Sequence, residues 1–274
     1  MPVGDGLAGA HAYAREIGAR AVQLFVSHPR GWAPDPGDPA EDQLFAERCA
    51  ADGIPVYVHS SYLVNFGSPA AGTLARSVES TRHALDRAAG LGARGVVVHA
   101  GSAVAAAHRP DAMKQLREHL LPLLERLPQD GPRLLVEPTA GGGQPLCATV
   151  QELAPWFAQL DDHPRLGVCL DTCHAFAAGH DLAAPGGMKK TLDALVKAVG
   201  RGRLDLIHAN DSKDPLSSAR DRHESIGLGR IGRDPFAELF RHPATRGVPV
   251  VVETPGDASA HRRDIETLTG LRDF

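Results

Sequence analysis

Cysteine is scarce in this 274-residue chain: four copies, at Cys49, Cys147, Cys169 and Cys173. That is too few for a disulfide scaffold. Aromatic residues make up only 5%. No stretch approaches the roughly 20 uninterrupted apolar residues of a bilayer span, so no membrane segment is expected. The N-terminus, Met1-Pro-Val-Gly-Asp-Gly-Leu7, lacks the basic and apolar regions of a secretory signal, and cytosol is the expected compartment. Basic residues are not in excess either: 29 Lys and Arg against 33 Asp and Glu leave a net charge of −4. Nucleic-acid binding by bulk charge is a poor prospect; it would need a local basic patch or bound cations to meet the phosphates. Also missing is a Gly-rich phosphate-binding turn after an early strand, which a doubly wound sheet would want.

Histidine is abundant, with fourteen copies, and it is the commonest metal ligand. Position decides which of them matter. The chain is 43% hydrophobic and 23% charged, enough apolar material for one large α/β unit over residues 1–274. Apolar runs rich in Val, Ile and Leu predict strands at Ala21–Val26, Pro55–His59, Gly95–His99, Leu134–Glu137, Leu166–Asp171, Leu204–His208 and Val248–Glu253. Continuous apolar runs suit strands buried on both faces of a parallel sheet. Helical stretches lie around them, at Leu7–Ile17, Ala70–Leu91, Pro110–Leu127, Thr149–Leu160, Lys189–Val199 and Ala258–Leu271. The alternation predicts a (β/α)8 TIM barrel. Seven strands are visible where eight are wanted, so the barrel is expected to lack its first strand in this chain, or its start to be assigned too late. Residues 27–41 and 211–233 read as long loops, and loops of that length are often functional.

Six of the seven strands end on a potential metal ligand: His59, His99, Glu137, Asp171, His208 and Glu253. His174 follows Asp171 by three residues. Asp221 and His223 sit in the second long loop at an i, i+2 spacing, which puts both on one side of an extended segment. The C-terminal ends of barrel strands share one mouth, so these groups should converge. A lone strand-end histidine is usually a satisfied core residue. Six such strand ends are a different matter, because charged groups are costly to bury unpaired. Nine ligands exceed the four or so of a single zinc and suit two or three ions, with Glu137 placed to bridge. Mixed His/carboxylate ligation suits zinc, with manganese or iron as alternatives. Closely spaced divalent ions serve phosphate-ester hydrolysis. Cys169 and Cys173 flank Asp171 and could be zinc thiolates, but small buried packing residues are the preferred reading.

The motifs resemble those of the endonuclease IV family, the zinc-dependent apurinic/apyrimidinic endonucleases. One signature is Gly167-Val-Cys-Leu-Asp-Thr-Cys-His-Ala-Phe-Ala-Ala-Gly-His-Asp181. Another is His208-Ala-Asn-Asp-Ser-Lys213 with Asp221-Arg-His-Glu-Ser-Ile-Gly-Leu-Gly-Arg-Ile-Gly232. His59-Ser-Ser-Tyr-Leu-Val-Asn65, Glu137-Pro-Thr-Ala-Gly141 and Glu253-Thr-Pro-Gly256 fall in the matching order. The resemblance implies a TIM barrel with three zinc ions. The first would be held by His59, His99 and Glu137, the second by Glu137, Asp171, His208 and Glu253, the third by His174, Asp221 and His223. It implies hydrolysis 5′ to abasic sites in duplex DNA, leaving a 3′-hydroxyl, with Glu137 and Glu253 catalytic and Glu253 orienting or deprotonating the attacking water. Arg30, Tyr62, Leu63 and Asn65 would contact the damaged duplex, the first three as wedges beside a flipped nucleotide. Lys213, Arg220, Arg222 and Arg230 are further candidates for phosphate contacts. A monomer is expected.

The chain departs from the family pattern at several positions. Pro138 stands where Asn is usual after the bridging glutamate, which removes an amide side chain from the ligands' surroundings. Ala100 replaces a common Pro, His180 a common Tyr, and Gly31 a larger polar residue. A metal-dependent sugar isomerase or epimerase of a related barrel is the alternative reading, although it has no use for a third metal pair or a wedge. A DNA-damage binder with purely structural metals is a third, against which an intact Glu253 speaks.

Overall fold

Alternating Val/Leu-rich runs form the strands of a parallel barrel in the computed structural model, which describes residues 6–273. The strands are β1 (Val22–Phe25), β2 (Val56–His59), β3 (Gly95–His99), β4 (Arg133–Glu137), β5 (Leu166–Asp171), β6 (Leu204–His208), β7 (Asp211–Ser212), β8 (His223–Glu224) and β9 (Val250–Val251). Seven of them make one sheet in the order β1-β2-β3-β4-β5-β6-β9, every pair parallel. The other two form a small antiparallel ribbon. The helices are α1 (Gly6–Glu16), α2 (Pro39–Ala51), α3 (Ala71–Gly90), α4 (Arg109–Glu125), α5 (Leu153–Ala158), α6 (Thr172–Ala177), α7 (Gly187–Val199), α8 (Asp234–Arg241) and α9 (Ala258–Arg272).

Side-chain alternation divides each strand between two environments. Val22, Leu24, Val56, Val58, Val96, Val98, Leu134, Val136, Val168, Leu170 and Ile207 belong to the large cluster that includes the helices' apolar faces. Tyr57, Val97, Leu135, Cys169, Leu206 and Val251 form a second, central cluster, with Ala21 packed against it. One step further along each strand, on the same face as those seven residues, come Gln23, His59, His99, Glu137, Asp171, His208 and Glu253. The barrel interior is thus a hydrophobic layer capped by a polar layer at the C-terminal mouth.

The barrel is nearly closed. Its seam lies between β1 and β9, where a cavity of about 690 Å³ is lined by Val22, Gln23 and Phe25 on one side and Val250, Val251 and Glu253 on the other. Outside the seam α1 and α9 are tied together. The Tyr13 hydroxyl lies 2.6 Å from His261 Nδ1, and Arg262 Nη2 donates to the Glu16 carbonyl at 2.6 Å. The seam matches the expectation of a barrel one strand short; residues 1–5 lie outside the described residues.

Two expected loops contain more order than their composition implied. The first ends at Asp38, whose side chain accepts from Ala40 N and Glu41 N and starts α2, with Pro39 in its first turn. Asp followed by Pro is a strong helix-start signal, so residues 39–41 belong to α2 and not to the loop. The second is braced by the β7–β8 ribbon. No described helix is long and apolar enough to cross a membrane.

Candidate metal centre

Nine expected ligands fall in overlapping groups whose donor atoms lie within 4.8 Å of one another: His59, His99 and Glu137; Asp171, His208 and Glu253; Asp171, His174 and His223; with Asp221 grouped with His223 and Cys173. Glu137 is the hub. Its Oε2 faces His59 Nε2 at 3.3 Å and His99 Nε2 at 3.6 Å, while Oε1 faces His208 Nδ1 at 3.2 Å. Glu253 Oε2 is also 3.2 Å from His208 Nδ1. At the third group, Asp221 Oδ1 lies 3.2 Å from His174 Nε2 and 3.0 Å from His223 Nε2.

Several of these imidazoles are aimed by their second nitrogen. His59 Nδ1 lies 2.7 Å from the Ser60 carbonyl and His223 Nδ1 3.1 Å from the Glu253 carbonyl. Donation to those oxygens leaves Nε2 bare toward the cluster. His174 Nε2 and His223 Nε2 are buried and make no hydrogen bond in spite of their nearness to Asp221. Buried nitrogens pointed at carboxylates without bonding them fit a cation lying between. The chemistry of the donor set therefore fits divalent metal at all three groups.

The charges are strongly coupled. Burial alone would raise the Glu137 carboxyl, but His208, His174 and His59 hold it well below the usual carboxylate range. Burial pushes His99 down to about 4 against the pull of Glu137. His223 resists burial and stays up at about 9, because Asp171 and Asp221 favour its charged form. The Cys169 and Cys173 thiols are both driven up to about 12, chiefly by burial. Both sulfurs stand among the grouped donors, Cys169 with Glu137 and His208 and Cys173 with Asp221 and His223; without a metal each is a buried, protonated thiol packed behind the His and carboxylate ring.

Asp211 shapes the loop that carries part of the site. Its buried carboxylate accepts from Gly227 N, Gly229 N, Ile231 N, Gly232 N and Ser212 N. Gly229 is required by this approach: a Cβ there would overlap Asp211 Oδ1 and the Ser212 carbonyl. The ribbon pairs Asp211 with Glu224 and Ser212 with His223, which delivers His223 and Asp221 to the mouth.

The candidate DNA-contacting residues fall on adjoining loops. Ser61 Oγ donates to the Pro29 and Gly31 carbonyls, and Tyr62 N donates to Pro29 O at 2.9 Å. Arg30 and Tyr62 are thereby carried side by side. Tyr62 is 43% exposed; its ring lies 5.2 Å from His59, 5.6 Å from His99 and 5.3 Å from Phe25. Leu63 is half-buried beside it. Gly31 packs tightly, since a Cβ would come within 3.3 Å of His28 Cβ. Asn65 works inward: its Oδ1 accepts from Gly67 N and Ser102 N. Arg220 and Arg222 are both tied to Asp214 at the rim, and Lys213 lies 4.0 Å from Glu224.

Two site residues escaped sequence reasoning. Asn210 donates from Nδ2 to Asp171 Oδ2 at 2.7 Å and accepts at Oδ1 from Glu253 N at 2.8 Å. Gln23 lies within hydrogen-bond distance of both His208 and Glu253. The available signal was parity: a lone polar residue two places after Ala21, inside an otherwise apolar strand.

Comparison with known proteins agrees with this geometry. The family profile described as a xylose isomerase-like TIM barrel matches residues 11–271. A probable endonuclease 4 of Streptomyces coelicolor is 57% identical over 275 residues, covering 100% of this chain and 94% of the relative. One from Methanoculleus marisnigri is 37% identical, covering 95% and 92%. The crystal structure of endonuclease IV from Thermus thermophilus superposes with a TM-score of 0.83 at 36% identity, covering 98% of this chain and 95% of that one. A D-tagatose 3-epimerase-like protein, at 18% identity and a TM-score of 0.70, shares the fold alone. The chain belongs to the endonuclease IV family of xylose isomerase-like TIM barrels.

Proposed function

We propose that this protein is a DNA-repair hydrolase that cuts the phosphodiester bond 5′ to abasic sites in duplex DNA and leaves a 3′-hydroxyl. The observation that carries the proposal is the convergence of nine His, Asp and Glu side chains in overlapping groups that share Glu137, Asp171, His208 and His223. That arrangement exceeds what one metal requires and suits phosphoryl transfer. The names of the relatives and of the Thermus structure support the same reaction class. Zinc is the metal the donor set favours. When bound, three such ions supply Lewis-acid activation of water and neutralisation of charge on the phosphate and leaving oxygen.

The remaining work falls to side chains. Glu253 has its main chain pinned at both polar atoms, N to Asn210 and O to His223, so its carboxylate is held at the mouth to orient the attacking water and take its proton. Glu137 keeps its negative charge under burial and sets the spacing of the first two groups. A recessed cluster reaches a duplex backbone only when the damaged nucleotide is turned out of the stack. Tyr62, Leu63 and Arg30 are placed to fill the space it leaves. The Tyr62 hydroxyl, raised to about 12 chiefly by burial and by Glu253 and Glu137, stays protonated and neutral beside them.

The deciding assay offers the zinc-loaded chain an end-labelled duplex with one tetrahydrofuran abasic analogue, an undamaged duplex, and a panel of ketohexoses. A single cut 5′ to the analogue with a 3′-hydroxyl product supports the proposal. Epimerisation of a sugar without incision replaces it with the isomerase reading.

A further inference from the structure

In six barrel strands the polar layer at the mouth supplies a ligand; in β1 the same layer holds Gln23. This residue is 6% exposed, and it stands at the seam, on one edge strand, facing Glu253 beyond the end of the other. Its amide touches two ligands at once. Gln23 Nε2 donates to Glu253 Oε1 at 2.8 Å, and Gln23 Oε1 lies 2.8 Å from His208 Nε2.

These two contacts fix the polarity of the whole chain of atoms. A carboxylate only accepts, so the amide NH₂ must face Glu253. The amide oxygen then faces His208, and the hydrogen bond at 2.8 Å requires a proton on His208 Nε2. With Nε2 held by Gln23, Nδ1, which is within hydrogen-bond distance of Glu137 Oε1 at 3.2 Å, is the nitrogen left to supply its lone pair when a metal takes the place of the proton between them. Nδ1 is the atom that points at Glu137 Oε1, Glu253 Oε2 and, at 3.8 Å, Asp171 Oδ2. The same amide holds Glu253 Oε1 aside, so Oε2 is the oxygen turned inward. One side chain therefore selects the donor atom of both a histidine and a glutamate.

We infer that Gln23 is a positioning residue of the metal centre: it fixes the His208 tautomer and the Glu253 carboxylate orientation, and it does so across the barrel seam. The inference rests on reading the ring as a metal site. Outer partners of this kind are worth about 10- to 100-fold in metal affinity or activity when removed.

Gln23→Met tests it, because methionine keeps length and volume and loses both hydrogen-bonding atoms. The readouts are zinc retained per chain across a chelator titration, kcat and KM on abasic duplex, and duplex Kd. The expected result is easier release of one zinc, with its half-release point shifted about 10- to 100-fold, and a fall in kcat with duplex Kd unchanged. Gln23→Glu keeps an acceptor for His208 and loses the donor to Glu253. It is expected to hold zinc better than the Met variant while still losing turnover. Circular dichroism and melting curves report the fold of each. Chelator resistance and kcat equal to wild type in Gln23→Met overturn the inference. Loss confined to unfolded protein in both variants overturns it too. A wild-type chain that retains no metal overturns this inference together with the proposed function, whereas equal variants on a metal-loaded wild type overturn only the role of Gln23.

Discussion

The carbonyl oxygen of Pro138 lies 3.2 Å from Nδ1 of His174, with Glu137 Oε1 equally near. Proline removes a donor and an amide side chain from this position, yet the group that meets the imidazole is the main-chain acceptor, which every residue type has. Nε2 is left for the cluster formed with Asp171 and His223. Pro138→Asn is therefore expected to change zinc retention by less than about threefold, well short of the 10- to 100-fold of a lost outer partner. A chelator titration of the two proteins checks this; a large gain in the Asn variant would mean that the proline weakens the site.

Glu253→Gln keeps the shape of the side chain and removes its basicity. Turnover on abasic duplex should fall by roughly 10²- to 10⁴-fold, the usual worth of a positioned general base. Duplex affinity should hold within a few-fold. Single-turnover kinetics and gel-shift titration separate the two, and near-normal turnover would remove Glu253 from its assigned role.

Tyr62 stands 43% exposed over His59 and His99. Tyr62→Ala should cost about 1–3 kcal/mol in binding to abasic duplex, the range of base–aromatic stacking, while zinc content stays at the wild-type level. If metal is lost and duplex affinity is not, the ring packs the site and does not wedge DNA.

The metal-free protein should lose stability as pH rises. His223 has a folded value near 9, above its ordinary 6.5. Its contribution is fully present below 6.5, shrinks as the unfolded chain releases its proton first, and is gone above about 9. The effect is on the order of 3 kcal/mol at most. Melting temperatures of chelator-stripped protein at about pH 6.5 and 9.5, on either side of that window, measure it. Zinc takes the place of the proton, so the loaded protein should not show this loss, and zinc affinity should increase with pH. A metal-free melting temperature that climbs over this range would contradict the assigned charge state.

Much of the barrel could be read from the chain because buried parallel strands leave continuous apolar runs, and β3, β5 and β6 carry the expected bounds. Six of the nine expected ligands were visible for a related reason: each sits where an apolar run ends, and charge there is costly without a partner; His174, Asp221 and His223 were legible only from the motifs around them. β9 is shorter than its run, Val250–Val251 within the expected 248–253, since only that part pairs with β6. The β7–β8 ribbon left no trace because two-residue strands have no period; what defines it is Asp211 gathering distant backbone amides. Asn210 was missed because an amide between two ligands is recognisable only once both ligands are in place, whereas Gln23 did leave a trace, as a polar residue at an inward position of an apolar run.

The proposed hydrolysis depends on three ions held at the barrel mouth. Anomalous diffraction at the zinc edge from crystals of the loaded protein tests it directly. Three peaks are expected: one between His59, His99 and Glu137; one between Glu137, Asp171, His208 and Glu253; and one between His174, Asp221 and His223. A single peak, or none within this ring, would contradict that dependence.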